Sequence, residues 1–479
     1  MTNQAFNPYL PSFEYIPDAE PYVINDRVYI YGSHDRFSGN DFCLNDYVCW
    51  SAPIDELGDW RYEGVIYQLT QDPLNPEYAQ TGCAPDMQRG VDGRYYLYYA
   101  LNRSPVISVA VCDTPAGAYE FYGYVKYSDG CVIGRESGDV YNFDPGVLVD
   151  DDNHVYLYSG IAPDGFMREM LDKTGLKVNG SYCIELESDM LTIKSTPKMI
   201  APGIGDADGT GFEDHPFFEA SSIRKANGKY YFIYSSLQGH ELCYAVSDRP
   251  DGGFVFGGTL VSIGDIYLNG NTEAVNFTGN THGSIIEINN KWYVFYHRQT
   301  NRHHFSRQAC AEEITIAADG SIAQAELTSC GLNGRPLHGS GEYEARIACN
   351  LSGKDGTCLY EVGKLAPDNL PYFTQEGEDR EDDGNQYIAN MRDGSWAGFK
   401  FFEFCGENHI CVTTRGSVGT LILTTQRNGI PFAKIELNSC DTWTTFAASF
   451  APIHGTLPLF VTFEGTGKID FMSFSLKTI

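Results

Sequence analysis

The feature that most limits what this chain can become is a short aromatic strand that recurs five times. It reads RVYIYGSHD from Arg27 to Asp35, RYYLYYA from Arg94 to Ala100, HVYLYSG from His154 to Gly160, KYYFIYSS from Lys229 to Ser236, and KWYVFYHR from Lys291 to Arg298. A turn pair precedes each copy: Asn25-Asp26, Asp92-Gly93, Asp152-Asn153, Asn227-Gly228 and Asn289-Asn290. Apolar alternation on both sides of such a pair is a hairpin signal, because these residues accept the left-handed backbone of a tight turn. With Tyr29, Tyr96, Tyr156, Tyr231 and Tyr293 taken as equivalent, the intervals are 67, 60, 75 and 62 residues. Each interval holds about four short strands and their turns. Five such units read as the five blades of a β-propeller.

Counting back from these tyrosines brings out the chemistry. Asp18 lies 11 residues before Tyr29, Asp144 12 before Tyr156, Glu219 12 before Tyr231, and His282 11 before Tyr293. Equivalent positions on the inner strands of a propeller are related by rotation about its axis, so these four ionisable groups are expected to converge on one pocket. Glu20 follows Asp18 by two residues and competes with it for the inward position in blade one.

Composition narrows the partners. At 479 residues the chain is too long for one core, and 14% aromatic content without long helical periodicity predicts an all-β protein. A net charge of −30 argues against nucleic acid or an anionic membrane, whereas a neutral sugar is indifferent to it. No apolar run is long enough to span a bilayer. Of the 14 cysteines, Cys43, Cys49, Cys83, Cys112, Cys183, Cys243 and Cys310 fall in or beside apolar strands, as buried free thiols do. No CxxC pair suggests zinc, and MTNQAFNPYLPSF has no signal-peptide pattern. The expectation is a reduced cytoplasmic protein, or a secreted one if a leader has been trimmed away.

Particular stretches resemble glycoside hydrolase family 43. The Asn7-Pro8 start with Asp18 ahead of an extended strand, the Cys-Ala-Pro-Asp run ending at Asp86, the Asp144-Pro145 hairpin, and Phe-Phe-Glu-Ala at Glu219 each resemble a blade of that family. The resemblance implies Asp18 as general base, Glu219 as general acid, and Asp144 as the second Asp that orients the acid and tunes its pKa. Asp86, Arg298 and His282 are implied substrate contacts, and His282 is also implied near a calcium bound through water. Ala19 stands where the family usually has Pro, and Cys83 where it often has Trp. Glu213, Asp214 and His215 read as loop residues near the pocket mouth. No cofactor is required by this reading; a structural calcium is an implied option.

After Cys330 the stretch GLNGRPLHGSGEYEA reads as a linker, here placed at 331–342, between a propeller at 1–330 and a β-sandwich at 343–479. The order of its strands resembles carbohydrate-binding module family 6, with Lys468 where a sugar-binding Asn is common and Arg346 near a calcium-ligand position, which leaves Glu344 and Asp470. Residues Glu376 to Asp383 read as a solvated acidic loop.

Glycoside hydrolysis needs an acid for the leaving oxygen and a base for water, about 6.5–9.5 Å apart in an inverting enzyme. Asp18 and Glu219 across an axial pocket meet that need, with the Asp144 charge expected to keep Glu219 protonated. The resemblance implies an inverting, exo-acting α-L-arabinofuranosidase, with β-D-xylosidase activity as an addition, acting on plant hemicellulose oligosaccharides. Alternatives are an exo-galactanase or endo-arabinanase of the same fold, and a non-catalytic sugar-binding propeller.

Overall fold

The computed structural model describes residues 4–380 and 385–479, and in it the five aromatic strands are the second strands of five antiparallel sheets. Blade one holds Glu20–Ile24, Arg27–Tyr31, Tyr47–Pro53 and Arg61–Tyr67; blade two holds Gly82–Arg89, Tyr95–Leu101, Ile107–Cys112 and Glu120–Tyr124. Blade three holds Gly146–Val149, Val155–Ile161, Gly180–Leu186 and Lys198–Pro202; blade four holds Phe217–Ala226, Lys229–Ser236, Glu241–Ser247 and Val255–Ser262. Blade five holds Ser284–Ile288, Lys291–Arg298 and Gln308–Ile314. The first strand of each blade faces the axis.

Tyrosines are frequent because neighbouring blades pack face to face, and a large ring with one polar tip fills that gap while still reaching a hydrogen-bond partner. Tyr98, for example, is buried between blades two and three and donates its hydroxyl to Met190 O at 2.6 Å. The chain's beginning closes the ring. Tyr9 N donates to Ala309 O at 3.2 Å, and the Asn7 side chain donates to Ala311 O at 2.8 Å and accepts from Ala311 N at 3.0 Å. The third strand of blade five is thereby covered by residues that lead into blade one.

The C-terminal part is a ten-stranded β unit in which two long bent strands, Trp396–Gly416 and Cys440–Gly465, pair along most of their length. Register shifts between Phe399 and Phe402 and from Cys405 to His409 bend the pair around a core of Phe399, Phe402, Val412, Leu459, Val461 and Phe471. Bulges of this kind let one strand serve both layers of a sandwich.

Two expectations from the sequence change here. The segment expected to be a linker is already part of this unit: Leu337 is fully buried and pairs with Phe402, and Gly341–Glu344 pairs with the last strand, Lys468–Lys477. A Gly-rich composition concealed the pairing because the segment has few apolar residues: Leu337 enters the core of this unit, and Leu332 enters the core shared by blades one and five. Within the acidic loop Gly377 and Glu378 are exposed as expected, but Asp379 and Arg380 dock on the propeller: Arg380 pairs with the buried Glu14, and Asp379 accepts from Phe37 N at 2.7 Å. The remainder of that loop, including Glu381, Asp382 and Asp383, lies outside the described residues.

The two units are stitched together by backbone as well as side chains. Asn301 N donates to Phe373 O at 2.7 Å, Tyr360 N to Thr278 O at 2.8 Å, and the Tyr15 hydroxyl to Gln375 Oε1 at 2.6 Å. No helix among the described residues is long and apolar enough to cross a membrane.

Candidate active site

The inner strands deliver side chains to the axis in layers, because residues two apart on a strand point the same way. The upper layer forms a cavity of about 260 Å³ lined by Asp18, Asp144, Glu219, His282 and Arg307, with Asn280, Phe42, Cys43 and Cys83 among its walls. The four residues found by counting from the tyrosines therefore share one pocket.

Local backbone explains how they reach it. Asp18 and Asp144 each sit two residues before their inner strand in a left-handed conformation, with φ of 58° and 46°. Asp tolerates this region better than most residues, and such conformations cost about 1–3 kcal/mol and cluster at functional sites. Glu219 lies in the strand Phe217–Ala226 where the pairing with Lys229–Ser236 shifts register on both sides of it, and Ala220 has φ of 71°. This bulge turns the Glu219 carboxyl towards the axis and turns Ala220 N to Asp144 Oδ2, 3.0 Å away.

The electrostatics separate the carboxyls. Burial by itself would raise Asp18, but the Arg307 guanidinium, with Nη1 3.1 Å from Asp18 Oδ1, and the imidazole of His297, 3.3 Å from the same oxygen, hold it well below the usual carboxylate range. Glu219 is pushed the other way, up to about 7, by burial first and then by the Asp18 charge, with Arg307 opposing. Asp144 is also raised, by burial and by the Glu219 and Asp18 charges, so Asp144 and Glu219 form a buried pair that holds protons while Asp18 stays ionised. The Asp144 and Glu219 carboxyls thus raise each other as a pair, the Asp18 charge adds to both, and Asp144 also holds the Ala220 amide next to Glu219. His282 Nδ1 is 3.7 Å from Asp144 Oδ2, and burial lowers its pKa to about 4, which leaves a neutral imidazole.

Glu20 and Asp86 occupy the next layer down. Glu20 pairs with Arg224, and Asp86 accepts from the Tyr22 hydroxyl at 2.6 Å, Val147 N at 2.7 Å and Met87 N at 2.8 Å. The assignment of Asp86 to substrate is corrected by this geometry. It stands 10 residues before Tyr96 and pairs with Tyr98 as Glu20 pairs with Tyr31, while Cys83, ahead of the register shift in blade two, takes the place in the pocket wall that Glu219 has in blade four. A two-residue step along a strand keeps the direction and changes the depth.

Arg298 is corrected too. Its Nη1 donates to Ala348 O at 3.0 Å, its Nη2 to Gln308 Oε1 at 3.0 Å, and its guanidinium lies over the Phe373 ring at 3.8 Å, all at the seam between the two units. The arginine of the pocket is Arg307, which sequence reasoning missed. It precedes the third strand of blade five, where no tyrosine offset marks it, and only its fixation by the fully buried Asp35 brings it to the axis.

Among the described residues, the one group of three metal-ligating side chains is His215, Glu241 and Cys243 in blade four; His282 is outside it. In the C-terminal unit Glu344 pairs with Arg346 and Asp470 with Arg415, so each carboxylate is already matched to a cation.

The model of the glycosyl hydrolases family 43 matches residues 7–322. A xylosidase/arabinosidase of Thermoclostridium stercorarium is 50% identical over 483 residues and covers 100% of both chains. A xylosidase/arabinosidase of Bacteroides ovatus is 31% identical over 316 residues, 60% of this chain and 87% of that protein. Among solved structures, a family 43 enzyme of Xanthomonas citri complexed with xylose aligns with a TM-score of 0.50 at 26% identity, covering 65% of this chain and 90% of that one.

Proposed function

Because the chain belongs to glycosyl hydrolase family 43, we propose that it is an inverting, exo-acting glycosidase that releases α-L-arabinofuranosyl or β-D-xylosyl units from hemicellulose-derived oligosaccharides. The observation that carries the reading is that Asp18, bound by Arg307 Nη1 at 3.1 Å, and Glu219 line one pocket, with their pKa values pushed in opposite directions. The names of the full-length relative and of the Bacteroides relative support the two pentoses.

In this mechanism Glu219 gives its proton to the glycosidic oxygen as the bond to the anomeric carbon breaks. Asp18 takes a proton from water attacking the opposite face of the same carbon, so the product sugar carries inverted configuration. Arg307 keeps Asp18 ionised without itself giving up a proton. Asp144 fixes the bulge behind Glu219 through Ala220 N. Asp18, Asp144 and His282 are buried in this pocket while Met167 in its lining is 38% exposed, and an exo-acting enzyme places the chain end here.

The test is a proton NMR time course on an equimolar mixture of aryl α-L-arabinofuranoside and aryl β-D-xyloside. Consumption of either with the inverted anomer appearing first is the expected outcome. Retention of configuration removes the assigned mechanism, and no hydrolysis of either moves the substrate to another glycan.

A further inference from the structure

Blade four holds a second constellation that the hydrolytic chemistry does not use. Glu241 and Cys243 are two residues apart on the strand Glu241–Ser247 and so point to the same side, and His215 reaches them from the turn that leads into Phe217–Ala226. Glu241 Oε2 is 2.7 Å from His215 Nδ1, 3.3 Å from Cys243 Sγ and 2.9 Å from Ser236 Oγ. One ligand atom from each of His215, Glu241 and Cys243 lies within 4.8 Å of the others.

The geometry points to a divalent transition-metal site, of zinc type, formed by His215 Nδ1, the Glu241 carboxylate and Cys243 Sγ. Two observations beyond their proximity favour an ion. Glu241 is fully buried, yet its Oε1 has no hydrogen-bond partner, an oxygen left over for a ligand. The His215 ring is also held flat on Phe256, with centroids 4.4 Å apart and planes 10° from parallel, which presents Nδ1 to the carboxylate without rotational freedom.

The donor set decides which ion. One nitrogen, one carboxylate oxygen and one thiolate suit zinc and its neighbours, whereas calcium takes about six to eight oxygens. The ion takes the place of the Cys243 thiol proton, and His215 binds through Nδ1 as the neutral imidazole with its remaining proton on Nε2. Two anionic ligands then leave the site neutral. His240 Nε2 is 4.0 Å from Glu241 Oε1 but is not one of the three grouped donors, so the fourth position of a tetrahedral ion falls to water.

The site braces the acid-bearing blade. Ser236, which contacts Glu241, follows Ser235, the strand partner of Glu219, and Glu241 O accepts from Thr281 next to His282 at 3.0 Å. Metal uptake is therefore expected to raise the thermal midpoint of the full chain.

The experiment is titration of the chelator-stripped full-length protein with cobalt(II) chloride, followed by displacement with zinc sulfate. One equivalent per chain, with a thiolate-to-cobalt charge-transfer band and the visible bands of a four-coordinate ion, is expected. Cys243→Ser should abolish the charge-transfer band and weaken zinc binding by at least about ten-fold. No stoichiometric uptake by the unmodified protein, or a band that survives Cys243→Ser, overturns the proposal. If Cys243→Ser does not fold, His215→Gln, at a partly exposed position, provides the second variant, and cobalt binding unchanged in it has the same adverse meaning.

Discussion

Arg307 stands between two buried carboxylates: its Nη1 donates to Asp18 Oδ1 at 3.1 Å while its Nε and Nη2 donate to the two oxygens of Asp35 at 2.9 and 3.0 Å. The pairing with Asp35 is bidentate, so it fixes the guanidinium plane and leaves one edge for Asp18. Asp18, the proposed base, is thus held ionised by a cation that cannot lose its proton at any pH of interest.

Arg307→Lys should uncouple these functions. A lysine is a single point charge and cannot satisfy Asp35 in two places while reaching Asp18, so the Asp18 pKa should rise. The pH profile of kcat/KM is expected to gain an acidic limb at higher pH than in the unmodified enzyme; an unchanged limb would separate Arg307 from the base.

With Glu219 as the proposed acid, the basic limb is expected to follow its ionisation. A carboxyl raised to about 7 by burial and the Asp18 charge is protonated below that value and loses its proton above it. Activity on substrates with poor leaving groups should therefore fall as pH rises through about 7, and aryl glycosides, which need less protonation, should show a weaker decline.

Glu219→Gln should lower kcat on unactivated oligosaccharides by about 10²–10⁴-fold with the fold intact, and much less on aryl glycosides. Near-normal turnover of the oligosaccharides would dismiss Glu219 as the acid.

Asp18→Asn should be inactive on both substrate types, since water activation is needed for each. Glu20→Gln, one layer below the pocket, should keep the shape of the pH profile and instead lower the thermal midpoint, because it weakens the buried pairing to Arg224. Steady-state kinetics and thermal melts on the two variants separate the layers; inactivity of Glu20→Gln with activity in Asp18→Asn would reverse the assignment.

Gly146→Ala tests how closely the inner strands approach. A Cβ at this position would lie 2.7 Å from Ser221 O, on the neighbouring inner strand beside Glu219. A loss of about 1–3 kcal/mol in urea unfolding is expected, with a larger fall in kcat than a remote core substitution of equal cost.

Much was legible because propeller symmetry converts linear spacing into rotation. The tyrosine strands and their turn pairs determined five blades, and the offsets of 11 and 12 residues placed Asp18, Asp144, Glu219 and His282 at one depth on the axis. These properties are local, carried by the hairpin signal and by counting along a single repeat. What tertiary structure alone decided is what depends on pairs far apart in the chain. Asp35 and Arg307 are separated by 272 residues, and nothing near either announces the other. Arg298, on a strand of the repeat itself, went to the seam with the C-terminal unit because Phe373 and Ala348, from the other side of that seam, receive it. The protonation of the carboxyls belongs to the same class: burial and the summed field of neighbours from several blades set it, and neither exists until the ring has closed.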